Sequence, residues 1–344
     1  MIGHPLLLSV AAVDFVTLTA LSAALWALFP IAVRWAPGSA DRGQLALERR
    51  AEAGAFAVHI AAVSLLASTL LLTIAFALGL PRVVSGAMCG TGVMQAMGGA
   101  GYRAMGLRLL ALLCLSAWQM VEGLNHSQPE APLTEAGVRV FLASAPAVLL
   151  ALVDTVRALS ALDTGLVVDC CAAVYDPVVA AGRSVFVGGM ADRLWVGAFF
   201  VLSVLAGAAA VWVKRAASLP RVSPWLMAAA ALLWAPAAAV SLVRVFSASI
   251  FGVLAHPCPW CLFLPEHAMV GFVQFGALAV AAREGIVAPV AIWAAGRDVT
   301  IRSAAADRLS QAAGRLLWSL GVFLTLTTGP ALLWRLRHGV WMWG

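Results

Sequence analysis

Apolar residues run in blocks long enough to cross a bilayer, and polar residues gather between the blocks. A helix rises 1.5 Å per residue, so about 20 mostly apolar residues span about 30 Å of hydrocarbon. Eight blocks meet that length, at 10–33, 53–80, 106–124, 138–159, 194–213, 225–254, 265–282 and 314–334. A further run, Ile286 to Ala295, is too short to span and is expected in the interface or padding the inner end of the seventh helix. No fixed-period repeat and no low-complexity tract interrupts the series. The pattern predicts an all-α integral membrane protein, a single bundle of about eight transmembrane helices forming one polytopic domain over residues 1–344. No Lys or Arg precedes the first apolar block, so that block reads as a retained helix and not as a secretory signal.

Composition removes the alternatives. Hydrophobic residues make up 62% of the chain and charged residues 11%, against about 45–50% and about 25% in a soluble domain. There is too little polar surface to cover a water-soluble globule. The net charge of +6 would in a soluble protein suggest nucleic acid. Here the basic residues lie between apolar blocks, so they point to topology and to anionic lipid headgroups, with the bilayer as partner. Lys214 is the only lysine. The densest basic connection holds Arg34, Arg42, Arg49 and Arg50. The positive-inside rule puts it in the cytoplasm, with both termini and the cysteine-bearing loops outside a cytoplasmic (inner) membrane.

The candidate chemistry is sulfur. Of six cysteines, Cys114 sits inside an apolar block and reads as packing; the other five lie at or beside block ends. Under the eight-helix topology they fall in three extracytoplasmic loops. The first carries Cys89 among Met88, Met94 and Met97 in a glycine-rich stretch, and thiolate and thioether ligands select Cu(I) over harder ions. The second carries the vicinal pair Cys170-Cys171, flanked by Asp169, Tyr175 and Asp176. Adjacent cysteines close only a strained ring, so each more readily meets a distant thiol or a shared metal. The third is His256-Pro257-Cys258-Pro259-Trp260-Cys261, followed by Glu266 and His267. Its Cys-x-x-Cys lets two sulfurs reach one metal ion, and a place at a helix start would stabilise a thiolate. It is not a c-type haem attachment site, because Leu262 follows Cys261.

Ionisable residues inside apolar blocks are costly. Asp14, His59 and Arg244 are of this kind, and so are Asp154 and Arg157, whose spacing of three suggests that they pair on one helix face. Arg244 would then take Asp154 or Asp14 as its counter-charge. No two histidines sit at matched depths for a bis-histidine haem, and no phosphate-binding nucleotide motif, Gly-x-Ser-x-Gly or His-Glu-x-x-His is present.

The single Cys-x-x-Cys beside a helix resembles the quinone-linked disulfide-forming membrane enzymes. The resemblance covers the four residues of one loop, and eight spans exceed that family's small four-helix core. It implies a thiol–disulfide oxidoreductase with Cys258 and Cys261 exchanging, a quinone as oxidant and a thiol-redox protein as partner. The residues themselves favour a sulfur-rich metal site for Cu(I) binding, delivery or transport, built from Cys89, Cys170, Cys171, Cys258, Cys261, Met88, Met94, Met97 and His256, with a periplasmic metal-binding protein as partner. A structural subunit of a larger membrane complex is the third reading. An impermeant maleimide tests the orientation on intact cells carrying single-cysteine variants. The 34–52 connection should label only after permeabilisation, and the cysteine-bearing loops before it; the reverse would invert the topology.

Overall fold

The computed structural model describes residues 4–36, 39, 41–168, 190–216, 222–252 and 258–341. All regular structure among them is helical. The long helices are α1 (Pro5–Arg34), α2 (Arg42–Ile74), α4 (Ala100–Asn125), α5 (Thr134–Ser160), α6 (Met190–Arg215), α7 (Ser223–Ser241), α8 (Val270–Arg297) and α9 (Arg302–His338); a short α3 (Gly90–Ala96) lies between α2 and α4. Among the described residues eight helical stretches are long and apolar enough to cross a membrane, so the chain is an all-α polytopic membrane protein. Two helices carry wide π-turns near their ends. Helix α2 runs on through Ala75–Gly79, and α7 through Leu242–Phe246 into the turn Ser247–Phe251.

The seventh spanning helix differs from its expected bounds. It begins at Val270, after the 3-10 turn Pro265–His267 and two residues of positive φ, Ala268 (53°) and Met269 (51°). It then continues to Arg297, and the run Ile286–Ala295 extends the end of this helix, the second of the two places expected for it. Arg283 and Glu284 interrupt the apolar pattern in sequence. In the structure Glu284 is buried and pairs with Arg283, and Arg315 of α9 lies 3.6 Å from it, so the helix passes through the charged pair.

The chain packs as two compact units. One comprises Met1–Ala75, Met97–Leu162 and Val290–Ala305; the other comprises Phe76–Ala96, Asp163–Pro289 and Ala306–Gly344. Each draws on three separate stretches, so no single cut in the sequence separates them and no shift in composition marks a boundary.

In the first unit α1 packs chiefly on α2 and α4 on α5, and the two pairs meet through α1 with α5 and α2 with α4. Small residues let the backbones approach: a Cβ on Gly54 would come within 2.4 Å of Leu28. Leu21, Leu28, Val58, Leu65, Trp118 and Phe141 fill the core. Gly98 and Gly99, with φ of 59° and 82°, turn the chain into α4. Because α4 starts at Ala100, Arg108 lies about 12 Å inside the helix at 1.5 Å per residue. Its side chain is fully buried. It donates to Asp14 of α1, to Ser68 of α2 at 2.8 Å and to Thr155 of α5 at 2.9 Å, and Ser68 in turn donates to Asp14. One guanidinium thus ties four helices.

The expected partnerships of Asp154 and Arg244 are overturned. Asp154 is buried against α4 and takes Arg103, with Nε 3.0 Å from both carboxylate oxygens, while Arg157 lies on the exposed side of α5. Arg244 pairs with Asp192 at 2.7 Å, because α6 begins at Met190 and brings that carboxylate into the helix. His59 rests edge-on against Trp118 with its Nδ1 2.9 Å from the Ala55 carbonyl oxygen. Near it, a cavity of about 480 Å³ is lined by Trp118, Glu48, Glu52, Glu122 and His126.

In the second unit α6 packs on α7. Phe199, Trp234, Phe246 and Phe323 form an aromatic cluster, and Trp234 donates its indole N–H to Ser203 at 2.8 Å. Gln274 of α8, fully buried, donates to Thr327 and to the Leu326 carbonyl of α9, both at 3.3 Å.

Removing one partner of a buried ion pair leaves an uncompensated charge and costs about 3–5 kcal/mol. Arg108→Met should therefore destabilise the detergent-solubilised protein strongly, and Asp14→Leu added to it should recover much of the loss. Denaturation followed by circular dichroism checks both; equal stability of the single and double variants would show that the pair carries no such coupling.

Candidate functional site

Three of the five loop cysteines come together within the second unit. The sulfur atoms of Cys89, Cys258 and Cys261 all lie within 4.8 Å of one another, and all three residues are buried. Cys89 and Cys258, 169 positions apart in the chain, have their sulfurs 3.4 Å apart. Thr91 Oγ1 lies 3.1 Å from the Cys258 sulfur.

Local structure explains the meeting. The π-turn at the end of α2 carries Phe76, and the chain then turns through Leu80–Arg82 to reach Cys89 at the start of α3, where the Gly92 N–H bonds back to the Cys89 carbonyl at 3.1 Å. On the other side Pro259 holds φ at −66° and Trp260–Phe263 form a 3-10 turn, closed by Leu264 N–H on the Cys261 carbonyl at 3.1 Å. The two segments lock through Trp260. Its ring meets Phe76 edge-on at 5.7 Å and lies flat over Gly90, where a Cβ would come within 2.6 Å of the indole and 2.9 Å of the Phe76 carbonyl oxygen. Only glycine leaves room for that ring. The indole N–H of Trp260 is buried without a hydrogen-bond partner.

The expected source of thiol activation is corrected. Cys258 does not open a long helix: the motif sits in a 3-10 turn and α8 starts only at Val270, so no long helix dipole backs it. Cys258 is nevertheless the acidic thiol. Its sulfur accepts hydrogen bonds from the Cys261 thiol, then from Cys89, and more weakly from Thr91, and these hold its pKa well below the ordinary thiol value despite burial. Cys261 shifts upward, chiefly because it donates to Cys258. The arrangement gathers two thiols and a hydroxyl around the Cys258 sulfur.

The remaining expected ligands are placed as follows. Met94 and Met97 are buried in and just after α3, whereas Met88 is 70% exposed. Glu266 is exposed and His267 packs its ring on Phe251 with centroids 4.5 Å apart; among the described residues, neither belongs to the sulfur cluster. Cys170, Cys171 and His256, with Asp169, Tyr175 and Asp176, lie outside the described residues. Val168, the last described residue before that tract, bonds its N–H to the Ser85 carbonyl at 3.1 Å, and its carbonyl oxygen is 2.3 Å from where a Cβ on Gly86 would sit. The chain leading to the vicinal cysteines therefore runs beside the loop that leads to Cys89. Thr91 and Phe76 were not singled out from sequence. Thr91 stands two residues after Cys89, a signal that could have been read; Phe76 reaches the site only through the fold.

Three soft donors at this spacing suit one ion. A metal–thiolate bond is about 2.3 Å, which puts sulfurs of one trigonal site about 4 Å apart. The same spacing suits exchange between thiols. No protein-family model, curated protein or solved structure matches the chain.

Gly90→Ala should displace Trp260 and part Cys89 from Cys258. Mild oxidation with diamide should join Cys89 to Cys258 in the parent protein and do so several-fold less in the variant, read by peptide mass spectrometry. Equal cross-linking in both would show that the Gly90–Trp260 contact does not set the sulfur spacing.

Proposed function

We propose that Cys89, Cys258 and Cys261 form a soft-metal site on the extracytoplasmic side of the membrane, and that the protein binds, delivers or passes Cu(I). The observation that carries this reading is the convergence of three buried sulfurs from two distant segments. Thiolates favour Cu(I) over harder ions. When bound, the ion would supply neutralisation of the thiolate charge. The protein's own residues set the sulfur spacing, exclude water and offer the Thr91 hydroxyl to the Cys258 sulfur. Cys170, Cys171, Met88, Met94, Met97 and His256 are proposed as further ligands, and a periplasmic metal-binding protein is the proposed partner.

A second reading is supported by the 3.4 Å approach of Cys89 to Cys258. A disulfide between Cys258 and Cys261 would be opened by attack of the Cys89 thiolate on the Cys258 sulfur, forming a Cys89–Cys258 bond and releasing Cys261 as thiolate. A dithiol of a partner protein then attacks the Cys89–Cys258 bond and closes as its own disulfide, leaving Cys89 and Cys258 as thiols; reoxidising Cys258 and Cys261 to their disulfide removes two electrons and two protons, which a quinone takes up to become a quinol.

Metal analysis and thiol counting on detergent-purified protein separate the two. In the metal reading the parent holds about one copper per chain, and Cys89→Ser, Cys258→Ser and Cys261→Ser each lose it. Cys170→Ser or Cys171→Ser lowers it comparably if those residues are ligands, and Met94→Leu and Met97→Leu weaken it while nearly conserving volume. Copper-free protein from which Cys261→Ser traps a covalent partner would overturn the metal reading in favour of exchange.

A further inference from the structure

Away from the sulfur site, the second unit carries two open troughs on the surface of α9. One, of about 630 Å³, runs between α8 and α9 past Val273, Ala277 and Val280. The other, of about 570 Å³, follows α9 past Gly321, Thr325 and Leu326. They share Trp318 and Val322. Trp318 is 76% exposed and stands as a ridge between them. The first trough is apolar along its length and basic at one end, where Lys214 and Arg315 line it with Gln311.

That basic end lies where the apolar spans stop. Lys214 closes the last turn of α6, and Arg315 precedes the apolar part of α9. The Lys214 amine reaches over α9, 3.8 Å from where a Cβ on Gly314 would sit. Among the described residues no carboxylate lies within ion-pair distance of it. The nearby acid, Glu284, is buried, and it is shared between Arg283 and Arg315. The cationic charge at this end thus exceeds the anionic charge.

We infer that this surface is a binding site for one anionic phospholipid, its phosphate held by Lys214 and Arg315 and its two acyl chains laid in the two troughs on either side of Trp318. A phosphate ester meets a point cation and a guanidinium well. Basic pockets between membrane helices near the headgroup level take anionic lipids in this manner. The lipid would cover apolar side chains that the fold leaves open, and charge complementarity selects an anionic headgroup over a zwitterionic one.

Lys214 is the only lysine, which makes its amine a reporter on the unmodified chain. The full-length protein, delipidated in a detergent without amines, is treated with an acetylating reagent in the presence of dioleoyl-phosphatidylglycerol, dioleoyl-phosphatidylcholine or inorganic phosphate, and Lys214 modification is read by mass spectrometry. Phosphatidylglycerol should protect Lys214; phosphatidylcholine and inorganic phosphate should not. In native mass spectrometry, Lys214→Gln should retain roughly fivefold less phosphatidylglycerol, the effect of one basic group at a lipid surface, and Trp318→Ala should reduce retention through the acyl chains. Equal protection by phosphatidylcholine would reduce the surface to unselective lipid cover. Protection by phosphate alone would make it a free-anion site. Unchanged phosphatidylglycerol retention in Lys214→Gln would remove the headgroup contact. Each of these results overturns the proposal.

Discussion

A hydrocarbon layer offers a charged side chain nothing to bond with, so a charge buried there is held by partners inside the protein. That constraint organises the chain. Arg108 can lie fully buried only because Asp14, Ser68 and Thr155 converge on it from three other helices. Glu284 can interrupt an apolar helix because two arginines meet it. Asp192 can sit in the first turn of α6 because Arg244 arrives from the π-turn of α7. Apolar packing gives these helices area but little selectivity, since lipid is as apolar as leucine. The charged contacts are what distinguish one helix face from another and fix the register in which faces meet.

The sulfur cluster too is held by contacts inside the protein. Three buried sulfur side chains turn toward one another: Cys261, Cys89 and Thr91 direct their hydrogens at Cys258. A soft metal ion can take the place of the thiol protons in such a group. Oxidation can rearrange the same group. Both readings of the site follow from one geometry, in which three buried sulfurs are held close together.

Much of this was legible in the sequence. The eight spans show as block length, because crossing the bilayer demands it and nothing else in the chain imitates it. Cys89, Cys258 and Cys261 stood out through their motif and their placement at block ends, and the structure joins them. What escaped was what depends on exact helix starts. Placing α4 six residues late set Arg108 at the very start of a block, where it drew no notice, when it is the most buried charge described in its unit. Placing α6 late hid Asp192 as the partner of Arg244. Hydropathy registers the middle of a span and blurs its ends, where Gly98–Gly99 or the Ala268–Met269 turn decides the first residue. The seat of Trp260 on Gly90 was beyond reach for another reason: a glycine in a glycine-rich loop gives no sign of which distant ring will need its space.

The π-turn at Ala75–Gly79 has a meaning for how this sequence can vary. A π-turn holds one residue more than the α-turn it replaces, and each residue advances a helix by about 100°. The segment is therefore a counted spacer: losing one residue there would keep the helix, its hydropathy and its length almost unaltered, yet swing Phe76 and all that follows to a different azimuth. Lineages carrying this chain should tolerate insertions freely in the exposed connections, while the number of residues between Ile74 and Cys89 stays constant even where their identities drift.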